Sequence, residues 1–165
     1  MKITLFTGNH NRHNFLINLL SEICDELFVV QESTTIFTGV LQGEYTVSDN
    51  MKNYFKNVMS AQEKFFNKSK INGKNKNINI LPLQMDDLNK CSLDYLSEFL
   101  SSDIFIAYGC SYIKGDLVDF LVKNKTINIH MGLSPYYLGA DCNFWALYDN
   151  NPHLVGATIH MLTKG

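Results

Sequence analysis

The sequence predicts an open α/β sheet, mostly parallel, with helices on both of its faces. Two observations predict it. Apolar runs of strand length alternate with stretches of helical period along the whole chain, and the opening segment reads strand, turn, helix and strand within about 30 residues, a βαβ unit that implies parallel pairing and a right-handed crossover. At 165 residues the chain is expected to form one domain, 1–165, large enough to bury a core without covalent staples.

The elements follow in order. Lys2–Thr7 is a short apolar strand, and Gly8-Asn9-His10-Asn11-Arg12-His13 is a polar turn after it. Asn14–Ile23 places Phe15, Leu16, Leu19, Leu20 and Ile23 on one helical stripe. Glu26–Gln31, with Leu27-Phe28-Val29-Val30, is a second buried strand. Gln31–Ser48 has turn residues and no period and reads as loop. Asn50–Lys68 is a longer helix, Lys70–Asn79 an exposed polar excursion, and Ile80–Leu83 a strand. Ser92–Leu100 has helical spacing, Asp103–Tyr108 is a central strand, and Gly115–Val122 a helix. Thr126–His130, Asn143–Asn150 and Gly156–Met161 complete the pattern as strand, short helix and strand.

Composition narrows the function classes. Hydrophobic residues at 45% and charged residues at 18% describe a globular protein. A formal net charge of -2 offers no basic footprint for a nucleic-acid backbone. No apolar run approaches the ~18 residues that cross a bilayer. Cys24, Cys91, Cys110 and Cys142 are scattered without a Cys-x-x-Cys pair, which predicts free thiols in a reducing cytoplasm and no metal site.

Ligands of open α/β sheets bind beyond the carboxyl ends of the strands. Three polar groups fall there: Gly8–Arg12 (Gly8, Asn9, His10, Asn11, Arg12); Tyr108–Ile113 (Tyr108, Gly109, Cys110, Ser111, Tyr112, Ile113); and Asn128-Ile129-His130 running into Met131–Gly139. The period of two puts Asn128 and His130 on one face of their strand. An amide donor beside an imidazole can hold an oxyanion and move a proton. The structural alternative has Asn128 tying down a turn and His130 satisfying a carbonyl. The Gly8–Arg12 turn, with Arg12 at a helix N-terminus, suits an anion. Cys110 and Cys142 read as packing residues, and Phe144 and Trp145 as core anchors.

The segment Asn128-Ile129-His130-Met131-Gly132-Leu133-Ser134-Pro135-Tyr136-Tyr137-Leu138-Gly139 resembles the signature loop of the folate-dependent formyltransferase family. Asn143-Phe144-Trp145-Ala146-Leu147 and Val155-Gly156-Ala157-Thr158-Ile159-His160 resemble the helix and strand that follow it there, and Thr7-Gly8-Asn9 resembles its first turn. The likeness is dense from Ile127 onward and thin in the middle. It implies a Rossmann-like sheet and transfer of a formyl group from 10-formyltetrahydrofolate to an amine, without a metal. Asn128 would hold the oxyanion, His130 would stabilise it and shuttle protons, and Tyr108–Ile113 would read the pterin ring through its backbone. Gly8-Asn9-x-x-Arg12-His13, together with His130-x-Gly-Leu-Ser-Pro-Tyr-Tyr and Asn143-Phe144-Trp145, most resembles the members that act on amino sugars, so the expected acceptor is a nucleotide-linked amino sugar, met at Gly8–Arg12. Methionyl-tRNA and phosphoribosylglycinamide formyltransferases are the alternatives, as is a folate- or nucleotide-binding fragment impaired in catalysis. The last follows from a departure: the family's catalytic Asp falls about two residues beyond Gly165 by this alignment of motifs, so the domain is expected to lack its C-terminal end. Asp141 and Asp149 lie in the wrong segment and read as a turn and a helix end. A bare Gly156–Met161 edge suggests homodimer formation.

Overall fold

The computed structural model describes residues 1–34, 48–66 and 69–164. Most of the expected Gln31–Ser48 loop therefore lies outside the described residues, as do Asn67 and Lys68 of the expected Asn50–Lys68 helix. The strands are β1 (Lys2–Thr7), β2 (Glu26–Ser33), β3 (Ile78–Gln84), β4 (Ile104–Tyr108), β5 (Ile127–His130) and β6 (Thr158–Met161). The helices are α1 (Asn11–Ile23), α2 (Asp49–Phe66), α3 (Gly115–Lys123) and α4 (Cys142–Tyr148). They build one sheet of order β3-β2-β1-β4-β5-β6, parallel throughout except for β6, which pairs antiparallel with β5. The expected open, mostly parallel sheet is present. None of the described helices is long and apolar enough to cross a membrane.

Alternation along the strands makes two cores. Ile3, Leu5, Leu27, Val29, Ile106 and Tyr108 point to one face, where Ile17 and Leu20 of α1 close over them. Phe6, Val30, Phe105 and Ala107 point to the other, against Leu88, Leu96, Ile113 and Leu117 and Leu121 of α3. Because β1, β2 and β4 are covered on both sides, their sequences read as continuous apolar runs rather than as alternations. Full burial of one such side chain contributes about 1.5–3 kcal/mol. Pro82, which cannot donate to a ladder, sits in the edge strand β3.

One expectation changes here. Ser92–Leu100 is a run of turns, not a regular helix. Its hydrogen bonds mix spacings of three and four, from Leu96 N to Ser92 O, Ser97 N to Asp94 O and Leu100 N to Leu96 O. Side chains divert the rest: Ser92 Oγ accepts from Tyr95 N, and Thr4 Oγ1 donates to Phe99 O at 2.5 Å. The apolar spacing still buries Leu96. The polar excursion before β3 is exposed at Lys70, Asn72, Gly73, Lys74 and Lys76, as expected, and is also pinned along α1. Asn14 and Asn18 donate to Ser69 O and Lys70 O, Asn18 accepts from Asn72 N, and Asn75 and Asn77 bond Ser21. The asparagines of this stretch are thus a ladder along α1, while Ile71 packs into the core.

Candidate functional site

The carboxyl ends of β1, β4 and β5 lie side by side, with Thr7 opposite Tyr108 and Ala107 opposite Asn128. Antiparallel pairing adds β6, which sets Asn128 opposite His160 and His130 opposite Thr158. Asn128, His130, Thr158 and His160 therefore share one face, as the period of two requires.

Their hydrogen bonds fix the orientation of each group. His160 Nδ1 is 2.8 Å from Met161 O, a pure acceptor, so Nδ1 carries the proton and Nε2 accepts from Asn128 Nδ2 at 3.1 Å. That contact settles which way the Asn128 amide is turned. His130 Nε2 lies 3.0 Å from Tyr137 O and 3.5 Å from Cys142 Sγ. A carbonyl only accepts, so the His130 proton is on Nε2 and Nδ1 is left with its lone pair. The loop closes this tightly because residue 132 is glycine: a Cβ there would stand 2.6 Å from His130 Nε2 and 2.5 Å from Cys142 Cβ. Thr158 Oγ1 donates to Gly132 O at 2.7 Å and accepts from Ser134 N at 3.0 Å, tying the loop to β6.

The Tyr108–Ser111 wall is held by a residue that sequence reasoning missed. Glu32, 1% exposed, accepts from Ser111 N at 2.6 Å, Ser111 Oγ at 2.8 Å and Asp86 N at 3.0 Å. The available signal was a carboxylate two residues after the apolar run Leu27–Val30 of β2, near the carboxyl end of the strand. Tyr108 OH donates to Met131 Sδ at 3.7 Å, joining this wall to the loop after β5. Burial pushes the Tyr108 hydroxyl up, with the Arg12 guanidinium beside it acting in the opposite sense. Burial and the Glu32 carboxylate push the Cys110 thiol up to about 12, so it stays protonated. Tyr112 is exposed and Ile113 is core.

In the first turn, helix α1 starts at Asn11, three residues before the expected Asn14, with His10 as its N-cap. Asn9 is committed to the end of β2: Nδ2 donates to Thr34 O at 3.3 Å and Oδ1 accepts from Thr34 N at 3.2 Å. Gln31 Nε2 donates to Gly8 O at 3.1 Å. Burial, then Arg12, lowers the His10 pKa. His13, read as part of a polar cluster, is instead buried.

Asp141 caps α4 in a left-handed conformation and Asp149 follows its last residue, accepting from Tyr137 OH. Phe144 and Trp145 are not core anchors. They are 40% and 48% exposed, in ring contact with each other and with Tyr148. Cys142 and Ala146 take the buried side of α4. Among the described residues no cluster of three His, Cys, Asp or Glu side chains could hold a metal.

No family model and no curated protein matches the chain in sequence. Solved structures do match it in fold. Glycinamide ribonucleotide transformylase 1 from Symbiobacterium toebii is 13% identical, with 100% of this chain covering 67% of that one at a TM-score of 0.58. Phosphoribosylglycinamide formyltransferase from Anaplasma phagocytophilum is 13% identical, with 100% and 66% covered at 0.57. A 4-N formyltransferase from Francisella tularensis is 18% identical, with 99% and 51% covered at 0.50. The chain thus spans about two thirds of the length of the first two and about half of the third. At these identities the likeness establishes the fold, which is that of formyltransferase structures.

Proposed function

We propose that the chain is a folate-dependent formyltransferase, taking the formyl group of 10-formyltetrahydrofolate to the primary amine of a nucleotide-linked amino sugar. The observation that carries this reading is the joint presentation of Asn128 and His130 at the end of β5, with the amide oriented by His160 and the imidazole by Tyr137 O. The acceptor amine adds to the formyl carbon, whose bond to the folate nitrogen then breaks. Asn128 Nδ2 donates to the oxygen that gains charge, an interaction worth roughly 3–4 kcal/mol in the transition state. His130 Nδ1 takes the proton that the amine loses and returns one to the leaving nitrogen. The residues after β4 suit a flat heterocycle: Gly109 is exposed, at φ 64°, and leaves the backbone open to close approach. The turn before α1 supports an anionic acceptor, since helix N-termini and Arg12 both favour phosphate.

A formyl-transfer assay with 10-formyltetrahydrofolate and nucleotide-linked amino sugars tests the reading. The expected outcome is an acceptor product heavier by one formyl group, formed at a rate that Asn128→Ala lowers on the order of 10²-fold or more. Folded protein that binds neither folate nor any nucleotide sugar, or is stabilised by tRNA alone, would overturn it.

A further inference from the structure

His13 occupies the third position of α1 and is 1% exposed. Its Nδ1 accepts the backbone N–H of His10 at 3.2 Å. This is the return half of a capping box, a place ordinarily held by Glu or Gln. The ring stands edge-on to Tyr108, with centroids 5.0 Å apart and planes at 88°. Both backbone segments that it touches lack a side chain where it touches them. A Cβ on Gly8 would lie 2.8 Å from Cε1 and Nδ1, and one on Gly109 would lie 2.5 Å from Nε2. The imidazole therefore fills the gap between the turn after β1 and the turn after β4.

Nε2 is buried and has no hydrogen-bond partner among the described residues. Because Nδ1 accepts, Nε2 carries the proton, and a buried donor without an acceptor is destabilising. An apolar side chain would fill the gap without that cost but could not receive the His10 N–H.

We propose that His13 is a positioning residue that sets the separation between the Gly8–Arg12 turn and the Gly109–Ser111 backbone, and with it the register of acceptor amine against formyl carbon. The proposal rests on the assignment of those two segments as acceptor and folate walls. One atom, Nδ1, fixes the start of α1, and the opposite ring edge bears on Gly109. Reacting atoms must meet at about 3–3.5 Å, and a misplacement of about 1 Å costs on the order of 10² in rate. His13 thus acts on the meeting of the two substrates more than on the binding of either.

Two variants separate its parts. His13→Asn keeps an acceptor near His10 N but removes the ring, whereas His13→Phe keeps a ring and removes the acceptor. In each, the Kd for folate and for the acceptor alone is expected to change less than about threefold, while kcat falls on the order of 10²-fold. Amide hydrogen exchange, which needs no ligand, should accelerate at residues 8–12 and 109–110 and stay unchanged at Ser111, which Glu32 holds, and in the interiors of β1 and β4. A kcat within threefold of wild type in both variants overturns the proposal. So does exchange that rises uniformly or not at all, or a loss of kcat that tracks an equal loss of binding. If wild-type protein neither binds folate nor transfers formyl, the proposed function fails, and the exchange pattern alone decides the role of His13.

Discussion

Glu32→Gln is the sharpest test of how the Tyr108–Ser111 wall, proposed above to meet the folate, is held. The carboxylate is buried at the end of β2 and faces donors only: Ser111 N at 2.6 Å on Oε2, and Ser111 Oγ, Asp86 N and Leu88 N at 2.8, 3.0 and 3.4 Å on Oε1. Glutamine in the same pose offers one oxygen and one NH2 group. Whichever way the amide turns, its nitrogen meets a backbone N–H, so one charge-assisted bond becomes a donor–donor contact. The lost bond is worth about 1.5–3 kcal/mol and the stranded donor about 1–3 kcal/mol. Relief of the buried charge's desolvation offsets part of this, leaving an expected loss of roughly 2–4 kcal/mol. In a chain of this length that lowers Tm by about 5–15 °C. Urea unfolding should show a lower midpoint at an unchanged slope, and folate affinity should fall with it because Ser111 is released. A loss below about 1 kcal/mol would refute the argument that these donors depend on the carboxylate.

The pH dependence of stability should carry the mark of His13, whose pKa burial and then Arg12 hold down at about 3. The folded value lies below the unfolded one of about 6.5, so its contribution is full above about pH 6.5 and is lost as pH falls toward 3. The slope is at most about 1.4 kcal/mol per pH unit. His13→Asn should flatten the acid limb of the stability curve, and equal limbs in the two proteins would sink the assignment. Asn128→Ala and His130→Ala should each cost on the order of 10² to 10³ in kcat with strong non-additivity, and additive losses would show that they do not act on one reaction centre. Gly132→Ala, which forces a Cβ into His130 and Cys142, should lower kcat and cost about 1–3 kcal/mol in stability; a neutral variant would mean that the loop is free to move. We propose self-association through β6, where Ile159 and Met161 are 72% and 57% exposed: Ile159→Lys should weaken it, as read by sedimentation against concentration, and a wild-type protein that sediments as a monomer at every concentration would refute it.

Much of this protein was legible along the chain. The strand positions, the alternation with helices and the shared face of Asn128 and His130 follow from periods of two and 3.6, which are properties of neighbouring residues. The segment 92–100 has the same apolar period, yet forms turns because Thr4 and Ser92 side chains compete for its backbone. Phe144 and Trp145 read as anchors because aromatic residues usually bury, but Cys142 and Ala146 hold the inner side of α4.

The chain by itself determined which residues could lie at the strand ends and what chemistry they could supply. The tertiary structure decided how those groups are held. His160 turns the Asn128 amide because β6 runs antiparallel to β5, Glu32 fastens Ser111 from a strand 79 positions away, and His13 is wedged between Gly8 and Gly109. Each of these contacts joins segments remote in sequence. Local periodicity records the face on which a side chain lies, while its hydrogen-bond partner depends on strand order and register, which long-range packing sets.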